Sequence, residues 1–150
     1  MLNEKLQAVK EMNALFGEEF NDGATEKEIQ VFLQNISDEN NDKFLEQYVK
    51  FLKIVNGLEF NGFIIYGIDK YLLDKEPKQA INGFIDNNKV WHENEWQQKY
   101  LFIGDSSISW YVYDMDTNKF CELDKPGGKV INVFDNIELI IIKILEDALQ

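Results

Sequence analysis

The sequence predicts an α+β domain, a mainly antiparallel sheet of about four to six strands flanked by N-terminal helices and a C-terminal helix. Three observations predict it. Residues 100–124 read as three short runs rich in aromatic and β-branched residues, separated by polar clusters at 104–107 and 115–118. Such side chains pack well on a pleated surface, so the block reads as a three-stranded meander. Asn61-Gly62 stands between Leu58-Glu59-Phe60 and Phe63-Ile64-Ile65-Tyr66, a hairpin signal, because a tight primed turn needs positive φ twice. Before residue 57, apolar side chains recur at helical spacing.

Taken in order, Leu2, Leu6, Val9, Met12 and Phe16 form a first helical stripe that Gly17 ends. Thr25 and Glu28 have capping-box spacing, and a second helix to about residue 34 buries Ile29, Phe32 and Leu33. Residues 37–42 are polar and acidic and read as a loop, with Asp42 as the cap of a third helix. Its stripe is Phe44, Leu45, Tyr48, Phe51, Leu52 and Val55, and Asn56-Gly57 closes it. Residues 71–78 are a loop, and residues 79–96 are an irregular helix interrupted around Asn87-Asn88. In the meander, period two puts Ile108, Trp110 and Val112 on one face and Ser109, Tyr111 and Tyr113 on the other. Residues 130–134 form a last edge strand. Asp135 with Glu138 starts a C-terminal helix whose 139–142 run is apolar all round, a buried helix in one reading and a strand in the other.

At 150 residues with 45% hydrophobic and 13% aromatic side chains, the chain can pack one core. Residues 1–150 are read as a single domain, with 1–42 its N-terminal helical portion. The formal net charge of -12, from 27 acidic and 15 basic residues, repels phosphate backbones and anionic lipid. It argues against nucleic-acid and membrane binding and steers a basic protein partner inward. The lone Cys121 allows no intrachain disulfide and reads as a small buried apolar residue. The N-terminus has no apolar stretch of signal-peptide length, and the longest apolar run falls far short of the roughly 20 residues that span a bilayer. The expected compartment is the cytoplasm.

Motifs for chemistry are incomplete. His92-Glu93-Asn94-Glu95-Trp96 has Trp96 where a zinc helix needs its second histidine, and His92 is the chain's one histidine. Gly104-Asp105-Ser106-Ser107-Ile108 lacks the closing glycine of a nucleophile elbow. The segment from Asp114 has Lys119 at the glycine position of a calcium loop and Lys125 at its closing glutamate. Neither cofactor nor metal is expected. Two clusters remain: Trp91, Glu93, Glu95 and Trp96, and Trp110, Tyr111, Tyr113, Asp114 and Asp116. Aromatic anchors rimmed by charge are what protein-binding hot spots use, although core tryptophans with a solvated acidic rim give the same pattern.

The order of these signals resembles the SUKH superfamily of Smi/Knr-type domains, and most of all its YrhA-like bacterial branch. The resemblance covers about residues 43–149. It rests on the third helix ending in Asn56-Gly57, the strand ending in Tyr66-Gly67, the Asn-x-x-Trp element Asn88-Lys89-Val90-Trp91, and Phe102-Ile103 followed by Gly104-Asp105-Ser106. A proline often found before the long helix is replaced by Asn40-Asn41-Asp42. The resemblance implies an α+β fold, no catalysis, and an immunity protein that neutralises a cognate polymorphic toxin, often a nuclease. The acidic balance fits a basic toxin surface. Candidate partner contacts are Trp91, Glu93, Glu95, Asp105, Tyr111, Tyr113, Asp114 and Asp116. The alternatives are a scaffold or regulatory interaction module, and an enzyme using Asp105, Asp114 or Asp116 as paired acids.

Overall fold

The computed structural model describes residues 1–36 and 41–150. Its elements are α1 (Leu2–Leu15), α2 (Glu26–Asn35), α3 (Asp42–Ile54), β1 (Leu58–Phe60), β2 (Phe63–Ile65), α4 (Phe84–Trp91), β3 (Tyr100–Asp105), β4 (Ser109–Asp114), β5 (Lys119–Asp124), β6 (Val130–Phe134) and α5 (Ile137–Ala148). Short 3-10 turns stand at Lys70–Leu72 and Glu95–Gln97. The strands make one antiparallel sheet in sequence order, β1 to β6. The α+β architecture is the one the sequence predicts. Most of the loop expected at 37–42 lies outside the described residues.

Thr25 and Glu28 form the expected capping box, each side chain bonding the other's backbone amide, at 3.1 and 2.9 Å. At α3 the cap position falls to Asn41, and Asp42 is the first helical residue. There its carboxylate complements the positive end of the helix dipole. α3 buries Phe44, Tyr48, Phe51 and Leu52, the stripe its spacing predicts. The β1–β2 turn has φ of 51° at Asn61 and 81° at Gly62, as a primed turn requires.

Three local expectations change. α4 runs straight through Asn87-Asn88. Both amides bond backward within the helix, to the Gly83 and Phe84 carbonyls at 2.8 Å, and leave the helical ladder intact. Gly104 belongs to β3 rather than to a turn, at a bulge between Phe102 and Gly104. A Cβ there would run into the Ile64 carbonyl oxygen, so the glycine lets β2 approach. α5 is capped by Asn136, which accepts from the Leu139 amide at 3.0 Å, while Asp135 pairs with Lys119 at 2.7 Å. α5 is a helix buried on most sides because α1 packs on it and it also contacts β5 and β6.

Cross-strand pairing sorts the sheet into two faces. Tyr111, Tyr113, Phe120 and Glu122 share the face toward α3 and α5, where Phe44 stacks on Tyr113 at 5.2 Å. Tyr100, Phe102, Trp110, Val112, Cys121 and Leu123 share the other. Trp91 of α4 and Trp96 of the following 3-10 turn lie over that second face. Ile108 falls outside β4 and is exposed rather than sharing the face of Trp110.

Candidate functional site

The second face carries the candidate site. Its centre is a row of aromatic rings meeting mostly at steep angles: Trp91 to Trp110 at 5.6 Å, Trp110 to Trp96 at 5.7 Å, and Trp96 to Tyr100 at 6.5 Å. All three tryptophans of the chain are therefore in one row. Trp110 is buried beneath it, Trp91 is half-buried, and Trp96 is 44% exposed.

Helix α4 holds the row against the sheet. β2 pairs only with Gly104 and Asp105 of β3, so the first half of β3 has no strand beside it there. Asn88 takes that place. Its Oδ1 accepts from the Phe102 amide at 2.7 Å and its Nδ2 donates to the Phe102 carbonyl at 2.9 Å. One turn on, His92 Nε2 donates to the Tyr100 carbonyl at 2.6 Å. The side chains of a helix thus satisfy a strand edge, as buried polar backbone demands. The start of α4 is capped from outside: Asp69 accepts from the Ile85 and Asp86 amides, both at 2.9 Å.

At one end of the row, Asp105 accepts from the Tyr66 hydroxyl and from Lys125 Nζ at 3.3 Å, and Trp91 Nε1 donates to the Tyr66 oxygen at 3.1 Å. Lys125 also stands over the Trp91 and Trp110 rings, 5.5 and 5.6 Å from their centroids. Burial, then the charge of Asp105, pushes the Tyr66 phenol far above its ordinary pKa. It stays a protonated donor. Asp105 and Trp91 are thereby tied into an internal lock.

At the other end, Glu93, Asn94, Glu95, Trp96 and Lys99 line a shallow pocket. Glu93, Glu95 and Asp116 are exposed. The Tyr100 phenol, then Asp114 and Asp116, raise the pKa of Lys99 against a smaller desolvation effect. Asp114 is buried and its carboxylate accepts from the Asp116 amide at 2.9 Å, which makes it part of the β4–β5 turn.

Tyr111 and Tyr113 are placed differently from the surface role expected of them. They face the opposite side, fully or nearly fully buried, and burial pushes the Tyr111 phenol up to about 12. The same alternation that puts Trp110 in the aromatic row turns these two tyrosines into the core. Sequence reasoning did not single out Tyr66, Lys99 or Lys125. Tyr66 could have been found as the one hydroxyl in the hairpin's second run, whereas nothing local marks either lysine.

Among the described residues, no group of three or more His, Cys, Asp or Glu side chains is arranged to hold a metal ion, and no helix is long and apolar enough to cross a membrane. No family model matches the chain, and no curated protein matches it.

Proposed function

We propose that this is a non-catalytic protein-binding domain, an immunity protein that neutralises a cognate toxin with a basic surface. The observation that carries the reading is the exposed Trp96, flanked in one shallow pocket by the exposed carboxylates Glu93 and Glu95. An indole held by packing on Tyr100 and Trp110 is a rigid anchor that loses little entropy on docking, and acids at its rim steer a cationic partner. The net charge of -12 extends that attraction to long range. The motif order that resembles SUKH domains supports the toxin as the partner, a nuclease being the class whose basic phosphate-binding surface fits best. Asp116 extends the acidic rim, and Asp105 and Trp91 set the position of the row behind it.

The test is co-expression with the toxin domain encoded immediately upstream, scored by growth rescue and co-purification. Rescue with a stable complex is expected. Trp96→Ala combined with Glu93→Lys and Glu95→Lys should cost at least about 2 kcal/mol of binding, with much of the charge effect in the on-rate. Unchanged binding by that variant would remove this surface from the interface. Failure of rescue with every neighbouring toxin-like domain would favour a scaffold role.

A further inference from the structure

Three stretches of strand backbone in this sheet lie where no further strand pairs with them, and two are closed by a carboxamide. At β1, Gln79 accepts from the Glu59 amide at 3.2 Å and donates to the Glu59 carbonyl at 3.0 Å. At the open half of β3, Asn88 does the same for Phe102. Each side chain imitates the pair of bonds a neighbouring strand would make. Unpaired edges recruit other strands, so such caps act against self-association.

The outer edge of β6 has no counterpart to these caps. It ends the sheet order, and among the described residues no side chain bonds to the backbone of Val130–Phe134. Along it Val130, Ile131 and Val133 are 43, 50 and 59% exposed. These are β-branched side chains, suited to strand pairing and unusual on an edge left to water. The charges stand only at its two ends, Lys129 and Asp135, both exposed. Within the strand, Asn132 donates to Glu122 at 2.9 Å, which fixes β6 to β5 on its inner side.

We propose that β6 pairs antiparallel with β6 of a second copy, about a two-fold axis at Asn132, so that two sheets become one. In that register the segment is its own complement. Lys129 faces Asp135, Val130 faces Phe134, Ile131 faces Val133, and Asn132 faces its own copy. Opposite charges and β-branched pairs directly across from each other are the stabilising combinations of an antiparallel ladder. A parallel arrangement in the same register would set Lys129 against Lys129 and Asp135 against Asp135. The -12 charge on each copy opposes association, so the pairing is concentration-dependent rather than obligate. A two-fold contact of one patch with itself also closes after two copies and does not propagate into fibres.

Sedimentation equilibrium of the full chain at physiological ionic strength tests this. The weight-average mass should rise with concentration from 17.6 kDa toward twice that value. Val133→Lys should hold the mass at the monomer value with an unchanged circular dichroism spectrum, because the side chain it replaces is exposed. Lys129→Glu and Asp135→Lys should each weaken association by roughly two- to five-fold, and the two together should restore it. A wild-type chain that stays monomeric up to about millimolar concentration overturns the proposal; the register shift opposite Glu122 and Leu123 would then be enough to close the edge. Association that Val133→Lys leaves intact, or that the double charge swap fails to restore, overturns this interface and register.

Discussion

Asn88 shows how much one side chain can decide. It is buried, bonds the Phe84 carbonyl within its own helix, and closes the Phe102 amide and carbonyl of β3. Asn88→Leu keeps the volume and the helix but leaves two buried backbone groups of β3 without partners. Each such group costs about 1–3 kcal/mol, so the variant should lose about 2–4 kcal/mol of stability in urea denaturation. A loss well under 1 kcal/mol would mean that water reaches Phe102. The sequence marks this residue only as a polar position in a helix. That two backbone groups of a strand 14 residues away depend on it is invisible without the fold.

Among the elements, α4 depends most on what surrounds it. It has 8 residues and Gly83 at its cap position, which offers no side chain to the free amides. Asp69 supplies both carboxylate oxygens instead, and a Cβ on Gly83 would collide with that carboxylate. Burial raises the Asp69 pKa above its ordinary value of 3.8, and the amide bonds only partly offset it. Between the ordinary and the raised value the folded state therefore holds more protons than the unfolded state, so stability from this group falls as pH rises through that window. Asp69→Asn cannot titrate there. The stability of the wild type relative to Asp69→Asn should accordingly grow as pH is lowered from about 7 to about 4. A constant or shrinking difference in chemical denaturation would show that the folded state does not hold that extra proton.

For the whole molecule, the N-terminal helices and the rest share one core. Val9, Phe20, Ala24, Ile29 and Phe32 belong to the same buried cluster as Phe44, Tyr48 and the sheet. Phe32 meets both Tyr48 and Phe84 edge-on, at 6.0 and 5.9 Å. α5 needs α1 on one side as it needs the sheet on the other, since Ile140, Ile141, Ile144 and Leu145 are all fully buried. Removing residues 1–42 exposes apolar surface on α5 and α3 at about 25 cal/mol for each Å². The truncated chain should be insoluble or lack a cooperative thermal transition. A soluble, cooperatively melting fragment of residues 43–150 would show that the later segment folds alone.

The sequence by itself determined the elements whose cause is local. The β1–β2 turn follows from two residues that tolerate positive φ, the Thr25–Glu28 cap from a spacing of three, the α3 stripe from its period, and the meander from alternation. It also determined that Trp91, Trp96 and Trp110 stand near acids in the chain. Tertiary structure alone decided which face each side chain took and what it met there. Period two separates Trp110 from Tyr111 and Tyr113 without saying which side is the core; α3 and α5 settled that by packing on the tyrosine side. The Tyr66–Asp105–Lys125 lock joins residues 20 and 39 positions apart. Asn88 became a strand cap because β2 is too short to cover β3. Contacts of that range carry no local pattern, because burial and unpaired backbone select them after the elements have formed.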